Sequence, residues 1–220
     1  MIDGIIGIHA IKEALNNPSR SLIKLYNASD KRIHPEENKV SKEELQKVYQ
    51  QFCAQNFFKI QKIQGDALLL TSRTPYTLDL SKFKKILLLD GVTDIHNIAA
   101  IIRTAAFFNF DACFIEKKKE EFSPDFFRLA SGGFEHTKVF CIPDSISFLK
   151  KLKNYSVYAM DEKGSGQMTF TYPLCLVIGS EDRGISFALK RQCTLVQIPA
   201  KGSFTTLNAS VAAALAMNLV

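Results

Sequence analysis

The chain has 220 residues, 46% hydrophobic and 23% charged, the balance of a globular protein long enough to bury a sizeable core. No run approaches the roughly 18 consecutive apolar residues of a membrane span, and "MIDGIIGIHAIKEAL" lacks the basic region and cleavage site of a signal peptide, so the expectation is a cytoplasmic protein without membrane contact. The net charge of +6 suits a nucleic-acid partner, and the excess is larger early in the chain: thirteen basic against nine acidic residues up to position 84, fifteen against thirteen beyond it.

In chain order, Ile5–Leu15 reads as a short lead into a helix, with Ile8, Ile11 and Leu15 at helical spacing. A strand follows at Ser21–Ala28, then a polar stretch, then a helix over Lys42–Gln55. "FFKIQKI" (Phe57–Ile63) and "DALLLTS" (Asp66–Ser72) read as two more strands, which makes residues 1–74 a small mixed α/β unit. Residues 75–85 combine proline and charge without a period and serve as the linker. From Ile86 onward, apolar strands alternate with helices near 97–108, 123–131, 144–153, 185–192 and 206–219. That alternation predicts a parallel sheet covered on both faces, over residues 86–220.

Five scattered cysteines with no C-x-x-C pair and four scattered histidines give metal binding no support. The chemistry gathers at three polar turns that follow strands, where open parallel sheets hold their ligands. The first, "LLLDGVTDIHNIAAIIRTA" (Leu87–Ala105), carries more polar groups than one helix cap needs, and sets Arg103 among Ala99, Ala100, Ala106 and Phe107. Arg103 is either a snorkelling surface residue or a site residue. The second, "LVIGSEDRGIS" (Leu176–Ser186), has Gly179, Glu181 and Gly184 after an apolar strand. Turn geometry explains the glycines as well as a ligand does. The third, "VQIPAKGSFTTLNASVAAAL" (Val196–Leu215), crowds Thr205, Thr206, Asn208 and Ser210 at a helix start. It lacks P-loop spacing, and "KGSGQM" (Lys163–Met168) lacks the dinucleotide-binding register and reads as a loop.

Together and in this order, the turns resemble the signature of the SpoU-type RNA 2′-O-ribose methyltransferases of the SPOUT superfamily. The first resembles D-P-h-N-x-G-x-x-x-R-[ST]-A, the second G-x-E-x-x-G, and the third I-P-x-x-G-x-x-x-S-L-N-x-S. "GIHAIKEAL" and "RLASGGFEH" (Arg128–His136) extend the resemblance over nearly the whole chain. Ile95, Ala99, Ser180 and Thr206 depart from it, replacing the usual proline and glycine, a frequent asparagine and the usual serine.

The resemblance implies a small N-terminal α/β substrate-binding domain that recognises RNA, followed by a parallel-sheet SPOUT domain with a C-terminal trefoil knot. It implies S-adenosylmethionine as cofactor and a homodimer, with RNA and not DNA as partner. The N-terminal opening is similar to the branch acting on guanosine of large-subunit ribosomal RNA, which favours ribosomal over transfer RNA. Arg103 takes the central role, either as base or as a clamp on the adjacent phosphate. Asn97 and Glu181 orient Arg103 or the ribose, and Asn208 and Ser210 complete a polar floor. Ile178, Gly179, Ile198 and Leu207 line the cofactor site. A non-catalytic RNA-binding protein, a base methyltransferase and a small-molecule enzyme are the rivals.

Overall fold

The computed structural model describes residues 1–33, 39–165, 169–203 and 205–220. The elements run β1 (Ile2–Ile6), α1 (Ile8–Asn16), β2 (Arg20–Asn27), α2 (Lys42–Gln55), β3 (Ala67–Arg73), β4 (Lys85–Asp90), α3 (Ile95–Phe107) and β5 (Ala112–Glu116). They continue with α4 (Pro124–Ala130), β6 (Lys138–Ile142), α5 (Ser145–Leu149), β7 (Ser156–Ser165), β8 (Leu174–Gly179), α6 (Phe187–Lys190), β9 (Thr194–Val196) and α7 (Ala209–Asn218). The chain divides into two compact units. Met1–Tyr76 and Glu121–Glu135 form the first, and Thr77–Glu120 with His136–Val220 the second.

The first unit is built on an antiparallel sheet in the order β1-β3-β2. Ile6 and Leu68 from the sheet meet Leu45, Tyr49 and Cys53 from α2, and these five form one buried cluster. Ser41 starts α2 by accepting a hydrogen bond from the Glu44 N–H at 3.1 Å. The segment expected only to lead into a helix, Ile5–Leu15, takes in the end of a strand, β1, that begins before it at Ile2, and Gly4 explains why the strand was hidden. A β-carbon there would lie 2.5 Å from the Phe52 ring, so the strand carries a glycine to let that ring lie against it.

Segment 121–135 was expected within the parallel-sheet part, and it packs with the first unit instead. The reason is electrostatic. Glu135 accepts two hydrogen bonds from the Arg20 guanidinium, at 2.7 and 2.8 Å. Arg20 also donates to Asp3 at 2.8 Å, and Asp3 takes a further bond from Arg73 at 2.8 Å. All four side chains are 5% exposed or less. Burial pulls the Arg20 guanidinium down, but Glu135 and then Asp3 outweigh it and hold it above its ordinary value. The Arg20 and Arg73 guanidinium groups also lie 5.4–5.8 Å from the ring centres of Phe127 and Phe134.

The second unit is a six-stranded, all-parallel sheet in the order β6-β5-β4-β8-β7-β9. Its central strands β4, β5 and β8 are almost wholly buried, as expected of near-continuous apolar runs. From β4 the chain steps outward through β5 to β6 on one side. It then returns to β7, β8 and β9 on the other. The order therefore reverses between β4 and β8.

Several expectations need correction. Phe57–Ile63 is not a strand: it is an irregular loop whose Phe58 and Ile63 pack on the core of the first unit. Lys163–Ser165 was read as loop and belongs to β7, where Ser165 pairs with Val196. Gly164 permits this, because a β-carbon there would lie 2.4 Å from the Val196 backbone. Gly166–Met168, the rest of that reading, lie outside the described residues, as do Phe204 in the third turn and residues 34–38 in the polar stretch before α2. The helices expected over 144–153, 185–192 and 206–219 are shorter: Ser145–Leu149, Phe187–Lys190 and Ala209–Asn218. The last starts late because Asn208, one of the four polar residues at its start, caps it by accepting from the Ser210 N–H at 2.9 Å.

Candidate active site

Ligands of open α/β sheets bind outside the carboxyl ends of the strands where the order reverses. Here that point is the end of β4 and β8, where Asp90 and Gly179 face each other in register. Asp90 is 7% exposed, and its carboxylate accepts a hydrogen bond from the Ser186 N–H at 2.7 Å. This bond fastens the turn after β8 to the end of β4. The turn closes on itself through Gly184, whose N–H donates to the Ser180 carbonyl at 2.9 Å from a left-handed backbone (φ +64°).

Gly179 has no room for a side chain. A β-carbon there would lie 2.2 Å from the Gly184 carbonyl carbon and 2.3 Å from the Ile185 nitrogen. Both are backbone atoms, so the turn itself must move. Gly179→Ala is therefore expected to cost about 1–3 kcal/mol through overpacking. A lower urea midpoint, read by circular dichroism, checks this; an unchanged midpoint would show that the turn yields freely.

On the β4 side, Asp94 caps α3 by accepting from the N–H groups of His96 (2.6 Å) and Asn97 (3.3 Å). These two bonds hold its carboxyl below the ordinary aspartate value. Ile95, in place of the usual proline, occupies the first helical position, where a free N–H costs nothing because no partner exists for it anyway. Ala99, in place of glycine, is fully buried.

With α3 so begun, the three sequence motifs meet in one chain of hydrogen bonds. The Ser210 hydroxyl (2.6 Å) and N–H (2.9 Å) both donate to the Asn208 side-chain oxygen. The Asn208 amide donates to the Asn97 side-chain oxygen at 3.0 Å, and the Asn97 amide donates to Glu181. Every bond points toward the Glu181 carboxylate, which can only accept. Four of the nine residues singled out in the sequence are thus brought together across 113 positions of chain, from Asn97 to Ser210.

Beside this relay lies a cavity of about 350 Å³, whose wall includes Ile178, Gly179, Glu181 and Leu207. A smaller hollow of about 130 Å³ is lined by Ile198 and again Leu207. The four residues expected to hold a cofactor therefore share one neighbourhood. Met160, Asp161 and Glu162 line both spaces, and sequence reasoning did not single them out. Their signal was an acidic pair within β7, just past its parallel pairing with β8. Asp161 pairs with Lys190 at 2.5 Å. Burial raises its carboxyl, but Lys190 and the Lys163 N–H outweigh that and hold it below the usual range.

Arg103 stands apart from both groups. It is exposed on α3, makes no hydrogen bond or ion pair among the described residues, and lines neither space. Six residues after Asn97, it sits about 9 Å further along the helix and about 240° around it. Cys53, Cys113, Cys175 and Cys193 form no disulfide. Burial, then the charge of Asp90, push the Cys193 thiol up to about 11.

A parallel sheet with a polar relay and a cavity at its switch point defines an α/β domain built to bind a small ligand beside reactive polar groups. Residues 84–218 match the model of the SpoU rRNA Methylase family, and the chain belongs to that family. An uncharacterized tRNA/rRNA methyltransferase of Archaeoglobus fulgidus is 36% identical over 58% of this chain, which spans 60% of that relative's length. The 23S rRNA (guanosine-2′-O-)-methyltransferase RlmB of Pasteurella multocida is 29% identical over 96% of this chain and 94% of its own length. Among solved structures, the SpoU methyltransferase AviRb of Streptomyces viridochromogenes in complex with AdoMet shares the fold. Its TM-score is 0.75 at 19% identity, over 98% of this chain and 87% of that one.

Proposed function

We propose that this protein transfers the methyl group of S-adenosylmethionine to a ribose 2′-hydroxyl of RNA, on a guanosine of large-subunit ribosomal RNA. The observation that carries this reading is the relay from Ser210 through Asn208 and Asn97 to Glu181, lying beside a cavity at the β4–β8 switch point. The Pasteurella relative, similar along almost its whole length, supports the choice of guanosine and of ribosomal RNA.

The cavity suits the cofactor. Ile178, Leu207, Ala209 and Ala212 offer an apolar surface to an adenine ring, and Glu162 and Glu181 offer carboxylates to a sulfonium cation. When bound, the cofactor supplies an activated methyl group on a good leaving group. The chain's own work is then to bind, aim and polarise the hydroxyl. Asn97 and Asn208, each locked by two partners, give a rigid amide floor against which the ribose is oriented. Arg103 has five donors and no acceptor, so on an exposed helix face it clamps the neighbouring phosphate and stabilises developing negative charge on the 2′-oxygen.

The same reading assigns residues 1–74 to RNA recognition, 75–85 to a linker and 86–220, apart from the segment 121–135 that packs with the first unit, to the methyl-transfer domain, with the C-terminal segment forming a trefoil knot. It places the protein in the cytoplasm as a homodimer. Val211 and Leu215 on α7 and Leu219 just past its end form an exposed apolar stripe, and Phe107 is exposed on the adjoining α3, which supports such a pairing.

The test is transfer from radiolabelled S-adenosylmethionine to total RNA of a strain lacking this gene. Label in large ribosomal RNA, recovered as an alkali-resistant dinucleotide, is the expected result. Label confined to transfer RNA keeps the chemistry and overturns the target; no label in any fraction or in ribosomal particles overturns the function.

A further inference from the structure

Phe57 is 92% exposed, and its backbone is left-handed at φ +57°. Both features are unfavourable for a phenylalanine. A large aromatic ring in water loses the gain of burial, and a β-carbon in the left-handed region meets a clash that glycine avoids. The position is the one just past the end of α2, where glycine or asparagine is the usual choice. The helix end is otherwise well made: the Phe57 N–H donates to the Ala54 carbonyl at 3.3 Å, the Phe58 N–H to the Cys53 carbonyl at 2.9 Å, and the Asn56 amide to the Phe52 carbonyl at 2.8 Å. Nothing in the fold calls for an aromatic residue there.

The loop that carries Phe57 is anchored. The Gln46 side chain donates to the Gln61 carbonyl at 3.1 Å and accepts from the Ile63 N–H at 3.0 Å. Phe58 turns inward, with its ring centre 6.3 Å from that of Phe52. Phe57, Lys59, Ile60 and Lys62 are all left exposed. From Leu45 to Gly65 the chain has three lysines and not one carboxylate, and six of those residues are glutamines. The loop is thus rich in lysine and amide groups, with one aromatic face held out to solvent, and its Gln61 amide donates to the Asp125 carboxylate.

We infer that Phe57 is a stacking platform for an unpaired RNA base, with Lys59 and Lys62 engaging the flanking phosphates. Recognition of single-stranded RNA takes this form: an aromatic face for the base and cations for the backbone. The charge of the loop selects RNA over an apolar protein partner. The inference rests on RNA being the partner under the proposed function, and it names the residues of the first unit that make the contact.

The probe is a fluorescein-labelled hairpin RNA with a ten-nucleotide unpaired loop containing 2-aminopurine, with the same stem as a closed duplex for control. The full chain is compared with Phe57→Gly, Phe57→Trp and the double variant Lys59→Ala/Lys62→Ala. Phe57→Gly is expected to melt at a higher temperature, because the backbone strain is relieved, and yet to bind the hairpin about 5- to 150-fold more weakly. Its 2-aminopurine signal should no longer respond to binding. Phe57→Trp should restore both affinity and signal. The lysine double variant should lower the slope of log affinity against log salt by about 1.4, the value for two single-strand phosphate contacts. A Phe57→Gly variant that binds as the parent does overturns the inference and leaves Phe57 to a protein partner, while methyl transfer to ribosomal RNA still stands. A parent protein that binds neither the hairpin nor ribosomal RNA overturns the proposed function and the inference with it.

Discussion

Arg103→Ala is expected to lower methyl transfer by about 10²–10³-fold or more, the usual loss when a charge-stabilising donor is removed from a reacting oxygen. The structure makes the variant unusually informative. Arg103 is exposed and has no partner among the described residues, so its removal should leave folding within about 0.5 kcal/mol of the parent. It lines neither space at the switch point, so cofactor affinity by calorimetry should change less than twofold. Loss of turnover with intact folding and intact cofactor binding is a pattern that a structural residue cannot produce. Arg103→Lys separates the two roles left open by the sequence. A clamp keeps partial activity with a lysine charge, and its pH profile stays flat where a neutral lysine would be needed. A base predicts activity rising with pH as the lysine loses its proton. Normal turnover in Arg103→Ala would remove Arg103 from the site.

The relay was legible in the sequence because its members sit in short motifs whose spacing is local. Asn97 follows a capping aspartate, Glu181 lies between two glycines, and Asn208 and Ser210 open an apolar helix. What joins them is the parallel register of β4 with β8, and that could be read only as a strand-helix alternation. Met160–Glu162 escaped notice because β7 reaches the site from the far side of β8, with no motif of its own. The misread loop at Phe57–Ile63 shows the limit of pattern reading more sharply. Two apolar residues followed by alternation look like a strand, yet Phe57 is spent on a helix cap and the loop is fixed by Gln46, a helical residue. No local period encodes either fact. The placement of Glu121–Glu135 was hidden for a similar reason, since Arg20 and Glu135 are 115 positions apart.

That pairing sets the second large effect. Glu135→Ala is expected to destabilise the first unit by about 3–5 kcal/mol, because it leaves the Arg20 guanidinium buried with two of its donors unpaired. The Asn17 amide, which donates to Glu135 at 2.6 Å, loses its partner as well. The network holds two carboxylates and two guanidinium groups, so removing any single one leaves a buried charge without compensation. The double variant Arg20→Met/Glu135→Leu removes one charge of each sign and leaves the Asp3–Arg73 pair at 2.8 Å. It should recover most of the loss, since apolar side chains of similar size substitute for a buried ion pair at little cost. Urea denaturation followed by circular dichroism reads both. A single variant costing less than about 1 kcal/mol would show that solvent reaches Arg20 and that the aromatic contacts of Phe127 and Phe134, rather than the charges, hold the segment. A double variant as unstable as the single one would mean that Asp3 needs both arginines, which would make the four side chains one indivisible unit.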